Sequence, residues 1–124
     1  MKILALDFGA ARTGVAVSDP TGTVARPLTT VQSALTDAGF ARLLDVISAE
    51  APEVIVVGMP LTLRGEHGEQ AQATAAFVER LRAACAVPVE TYDERFTSVL
   101  AAGDDARAAA HLLSGYLEWQ STNR

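Results

Sequence analysis

The segment Glu53-Val54-Ile55-Val56-Val57-Gly58 constrains this chain more than any other. A short, continuous apolar run with helical patterns on both sides reads as a strand buried on both faces. Strands of that kind lie beside a parallel neighbour in a sheet covered by helices. Ile3 to Phe8 is a second short apolar run, closed by Gly9. Gly14 to Asp19 reads as another strand, and Pro20-Thr21-Gly22-Thr23 supplies turn chemistry before a third extended piece, Val24 to Val31. Three strands joined by short links predict an antiparallel meander.

The helices follow from spacing. Behind Thr36, a good N-cap, apolar residues recur at Phe40, Leu43, Leu44 and Ile47, which predicts a helix over Asp37 to Ala49 that stops before Pro52. Met59 to Gly65 reads as a loop at the carboxyl end of the buried strand. A helix over Glu69 to Ala84 follows, with Ala73, Phe77, Val78, Leu81 and Ala84 on one face. Val87 to Arg95 is a fifth strand, and Pro88 near its start suits a sheet edge. Thr97 or Ser98 is a candidate cap for the last helical region. Its clearest part runs from Asp105 to Trp119, with Leu112, Leu113, Tyr116 and Leu117 available for burial. The order β-β-β-α-β-α-β-α predicts an α/β fold: a five-stranded mixed sheet, made of the meander plus two parallel strands and flanked by helices.

With 124 residues and 49% hydrophobic content, the chain is expected to form one domain, residues 1–124, with a core of its own. The single cysteine, Cys85, has no partner for an internal disulfide and reads as a small apolar group. No leader pattern precedes Lys2, so the expected compartment is the cytoplasm. No apolar stretch approaches the ~20 residues that cross a bilayer, so no membrane span is expected. A net charge of −5 and a pI near 4.9 argue against a generally basic nucleic-acid sleeve. Any such contact has to be local.

The chemistry gathers at strand ends. Asp7 closes an otherwise apolar strand, where burying a carboxylate costs several kcal/mol, roughly, unless a cation pairs with it. Gly9 and Gly14 let the backbone approach a phosphate, and Arg12 supplies a positive charge. Glu94 (or Asp93) ends the fifth strand, and Asp105 (or Asp104) opens the last helix. In open sheets ligands bind beyond the strands' carboxyl ends, so these acids can converge. A cluster of carboxylates with few nitrogen or sulfur ligands favours Mg²⁺ or Mn²⁺, the ions suited to phosphodiester cleavage. Each residue also has a plainer reading. Asp before Gly is ordinary turn chemistry, Glu94 can be a solvated strand end, and Asp105 suits a helix dipole. His67 and His111 have no partner at ligand spacing, and Tyr116 and Trp119 favour packing over base stacking.

The residues resemble the YqgF (RuvX) family of bacterial ribonuclease H-like nucleases. Its pattern Asp-x-Gly-x-x-Arg-x-Gly-x-Ala-x-Ser-Asp is matched throughout by Asp7 to Asp19. Its Val-Gly-x-Pro resembles Val57 to Pro60, its Asp-Glu-Arg-x-Thr resembles Asp93 to Thr97, and its final Asp-x-x-Ala-Ala-x-x-x-Leu-x-x-Tyr-Leu is similar to Asp105 to Leu117. The resemblance implies a ribonuclease H-like fold and three catalytic, metal-binding carboxylates: Asp7, Glu94 and Asp105. It assigns substrate contacts or their organisation to Gly9, Arg12, Arg95 and Thr97. The family is associated with processing the 5′ end of precursor 16S ribosomal RNA and with Holliday-junction resolution. One departure stands out: only Ser98 to Asp104 separate Thr97 from Asp105, where relatives carry a longer helix and a lysine-rich loop.

The leading expectation is therefore an endonuclease, dependent on Mg²⁺ or Mn²⁺, acting on structured RNA or branched DNA. A homodimer would suit a junction with two strands to cut. A nucleotide-dependent phosphotransferase would need a second domain, for which 124 residues leave no room. A non-catalytic module binding nucleic acid is the remaining alternative, favoured by the shortened segment and the acidic balance.

Overall fold

The computed structural model describes residues 1–61, 68–95 and 105–122, with the backbone alone for Leu61, Glu94 and Arg95. Eight elements occur in the order β1 (Ile3–Asp7), β2 (Arg12–Ser18), β3 (Ala25–Gln32), α1 (Asp37–Glu50), β4 (Val54–Leu61), α2 (Glu69–Ala84), β5 (Val89–Arg95) and α3 (Asp105–Thr122). The sheet order is β3-β2-β1-β4-β5. β1, β2 and β3 form the antiparallel meander, whereas β4 runs parallel to both β1 and β5. The expected mixed sheet is present, with β5 at an edge and Pro88 just ahead of it.

Alternation along the strands builds two cores. Leu4, Leu6, Val15, Ile55, Val57 and Val89 face α1 and α2, where Phe77 stacks on Phe8 at 4.4 Å and meets Phe40 edge-on at 6.4 Å. Ile3, Ala5, Ala16 and Val56 face the other way, against Ala109, Leu112, Leu113, Tyr116 and Leu117 of α3. The sheet is thus sandwiched, which is why β1 and β4 read as unbroken apolar runs. Trp119 leans on Tyr92 and Tyr116, with ring centroids 6.2 Å and 5.9 Å away, and stays 50% exposed.

Three local expectations need correction. β4 continues past Gly58 to Leu61, and Met59 and Pro60 pair with Asp93 and Glu94 rather than entering a loop. β1 pairs with β4 only as far as Val57, so beyond that point β4 has one strand neighbour and a proline costs no ladder bond on the open side. On α2 the buried set is Ala71, Thr74, Phe77, Val78 and Leu81; Ala73 and Ala84 are exposed. Thr74 escaped an apolar count because its hydroxyl donates to the Gln70 carbonyl at 2.8 Å and so can be buried. Finally, β5 begins at Val89, after Pro88, and not at Val87. Thr36 caps α1 as expected, its hydroxyl accepting from the Gly39 amide at 3.0 Å. The proposed cap at Thr97 or Ser98, and most of the Met59–Gly65 loop, lie outside the described residues.

Candidate active site

Asp7 is the last residue of β1, and its cross-strand partner in β2 is Gly14. Directly opposed residues of an antiparallel pair share a face and carry Cβ atoms about 4.5–5.5 Å apart. Asp7 therefore looks across at the space that Gly14 leaves empty. α3 fills it. A Cβ built on Gly14 would stand 1.8 Å from the backbone oxygen of Asp105, so glycine is what permits α3 to begin on top of β2. The first residue of α3 is thereby set beside Asp7, although 105 and 7 are far apart in the chain.

The two carboxylates sense each other. Burial, first, and the charge of Asp105, second, push the Asp7 carboxyl above its ordinary range. Arg12, at the start of β2, answers part of that charge: its Nε lies 3.2 Å from Asp105 Oδ2. The contact is close enough for ion pairing but is not aligned as a hydrogen bond, so among the described residues this buried oxygen has no donor. A buried carboxylate oxygen without a donor is costly, by about 1–3 kcal/mol or more for a charged group. It is also what an oxygen-seeking cation requires.

The turn that leads into Arg12 is held tight. The Thr13 hydroxyl donates to the Gly9 carbonyl at 3.3 Å, and a Cβ on Gly9 would come within 2.5 Å of the Arg12 carbonyl oxygen. Gly9 thus serves the turn that aims Arg12. The two last residues of the same motif serve the fold: Ser18 Oγ accepts from the Ile3 amide at 2.8 Å, and Asp19 gathers the β2–β3 turn. Hydrogen bonds from the Thr21 hydroxyl, then from the amides of Val24 and Thr23, hold the Asp19 carboxyl far below the ordinary range.

Glu94 and Arg95 are the final backbone positions of β5, opposite Pro60 and Leu61 at the same carboxyl end of the parallel strands as Asp7. Thr97 and Asp104 lie outside the described residues, as does His67; His111 is exposed on α3. Among the described residues, no group of three or more His, Cys, Asp or Glu side chains is placed to hold a metal ion. Asp7 and Asp105 are acids near enough for the charge of one to act on the other. One rim residue had no signal in the sequence: Gln70, in the first turn of α2, donates Nε2 to the Phe8 carbonyl at 3.4 Å and ties that helix to the end of β1.

The family model RuvX, described as Holliday junction resolvase, matches residues 1–104. A Chloroflexus aurantiacus protein named "Putative pre-16S rRNA nuclease" is 38% identical over 136 residues, covering 98% of this chain and 89% of its own length. That match is longer than the chain's 124 residues, so the relative carries positions that this chain lacks. A Moorella thermoacetica protein of the same name is 37% identical, with 95% of each chain covered. Among solved structures, Thermus thermophilus RuvC in complex with a Holliday junction superposes with a TM-score of 0.61 at 19% identity, covering 98% of this chain and 96% of that one, a likeness of fold. The chain belongs to the RuvX family of nucleases and has their ribonuclease H-like fold.

Proposed function

We propose that this protein is a divalent-metal-dependent endonuclease that trims the 5′ end of precursor 16S ribosomal RNA in the cytoplasm. The observation that carries the reading is the Asp7–Asp105 pair at the carboxyl edge of the sheet, with one buried carboxylate oxygen left without a donor. An all-oxygen donor set of this kind fits Mg²⁺ or Mn²⁺. Asp7 and Asp105 would hold the ion, joined by Glu94. Support for Glu94 is its strand position at the carboxyl end of β5, in register with Pro60 of β4. A bound ion would supply activation of water and stabilisation of the leaving oxygen of the phosphodiester.

The chain's own residues supply placement. The Gly9–Arg12 turn presents a guanidinium beside the acids, where it can meet a phosphate with a planar set of donors. Arg95 and Thr97 are proposed to extend that contact from the end of β5. The net charge of −5 makes these few cations the source of affinity. No helix among the described residues is long and apolar enough to cross a membrane.

The test is incubation of the purified protein with precursor 16S RNA and with a four-way DNA junction, with and without Mn²⁺. Cleavage of the RNA near the mature 5′ end, abolished in Asp7→Asn, is expected. Retention of both substrates without any product would refute an enzyme and leave a binding module. The description of the matching family model supports a second reading, resolution of Holliday junctions. Symmetric nicking of the junction by a homodimer, with the RNA untouched, would select it.

A further inference from the structure

Arg12 is held differently from Arg80 and Arg82. Arg80 donates to the Leu35 carbonyl at 3.0 Å and to Asp37 Oδ1 at 3.2 Å, and lies 4.0 Å over the Phe40 ring. Arg82 donates two bonds to the Val89 carbonyl, at 3.2 Å and 2.9 Å, and one to Glu79 at 2.9 Å. Both are anchored by several aligned donors. Arg12 has a charge contact at 3.2 Å from one nitrogen, its side chain 50% exposed, and the oxygen it faces gains no hydrogen bond. Arginine binds carboxylates firmly through aligned, often paired N–H groups, and that geometry is missing here. A positive charge held by one unaligned contact thus stands beside Asp105, whose own charge is felt by Asp7.

In the native packing both acids are held in place. The Asp105 backbone is seated in the space of the missing Gly14 side chain, and Asp7 is fixed by the β1–β2 ladder. Two carboxylates held this way call for a cation.

We propose that Arg12 is a displaceable internal counter-ion: its guanidinium offsets part of the charge of the Asp7–Asp105 pair through Asp105 in the metal-free protein, and a divalent cation taken up by these carboxylates releases it to bind the substrate's phosphate. The proposal rests on the nuclease reading above. Metal loading and nucleic-acid binding become coupled through one side chain, and by linkage each tightens the other by the same factor. Arg12 is in this account a switch between two partners, not a tether for α3.

The experiment is Arg12→Gln in the full chain, with two titrations. Mn²⁺ binding is followed by calorimetry, and binding of precursor RNA is followed in Ca²⁺, which loads the site without the need for cleavage. Release of a half-exposed ion pair predicts Mn²⁺ binding about threefold to tenfold tighter in the variant. RNA binding in Ca²⁺ is expected to weaken by about the same factor. The opposite signs are the signature. Weaker Mn²⁺ binding would make Arg12 a structural tether of Asp105 and overturn the proposal, as would unchanged affinity for either ligand. If wild type takes up Mn²⁺ in an Asp7-dependent way and Arg12→Gln does not improve it, the exchange alone fails. If wild type takes up no Mn²⁺, the nuclease reading fails with it.

Discussion

Gly14→Ala perturbs the site through its scaffold alone. The added methyl group would lie 1.8 Å from the Asp105 carbonyl oxygen and 2.3 Å from its carbon, both backbone atoms that no rotamer change can remove. Real contacts of this type begin near 3.0–3.4 Å, so the first turn of α3 must retreat by roughly 1.2–1.6 Å. That motion carries Asp105 away from Asp7 and Arg12. Misplacement of a catalytic group by about 1 Å can cost on the order of 100-fold in rate, and overpacking of a tight contact costs about 1–3 kcal/mol. The assay is Mn²⁺-dependent cleavage of precursor RNA at saturating enzyme, below the melting temperature of the variant. A drop of about 100-fold with α3 still folded by circular dichroism is expected. Gly115→Ala is the internal control, because its methyl group meets the Tyr92 hydroxyl at an ordinary 3.6 Å. That variant should keep its rate and gain about 0.5–1 kcal/mol from helix propensity. Wild-type cleavage by Gly14→Ala would refute the claim that Gly14 positions Asp105 for the reaction.

Three further outcomes follow from the same geometry. Because burial and Asp105 raise the Asp7 carboxyl above 3.8, its ionised form costs the metal-free protein stability; the penalty is complete above the folded value and gone below 3.8. Asp7→Asn should therefore melt higher than wild type at pH 7 without metal, with the gain shrinking as acid is added; an equal gain at both ends of the range would contradict this. Tyr116 donates to Glu90 Oε2 at 3.0 Å, and burial, then this bond, push its phenol up to about 12. Tyr116→Phe should cost about 1 kcal/mol in denaturant unfolding at neutral pH. The raised value adds stability that is complete below about pH 10 and lost as pH rises toward 12, so the wild-type advantage should fade over that window. Ala51, after α1, adopts a left-handed conformation with φ of 48°, so Ala51→Gly should raise stability by about 1 kcal/mol in the same assay.

Much of this architecture was legible because local signals and tertiary demands coincide. The apolar run at Val54–Val57 could be satisfied only inside a covered sheet, and Thr36 and the spacing of Phe40, Leu43 and Ile47 defined α1 within one residue. What escaped depends on partners distant in sequence. The extension of β4 through Pro60 follows from β1 ending at Asp7, and the buried face of α2 follows from a hydroxyl that bonds its own helix. The register shift between Val15 and Ala16, which lets Pro27 join β3, left no periodic trace. At the site, Asp7, Gly9 and Arg12 were legible as one contiguous motif. That Gly14 serves to admit Asp105 was not, since the contact joins the second strand to the last helix. Gln70 was missed for the same reason.

The central claim is that Asp7 and Asp105 share one hard cation. Anomalous diffraction from a crystal soaked in Mn²⁺ tests it most directly. The account predicts a peak between these two carboxylates, with oxygen ligands at about 2.0–2.2 Å and Glu94 in the coordination shell. Mn²⁺ bound elsewhere, with Arg12 still against Asp105, would contradict it.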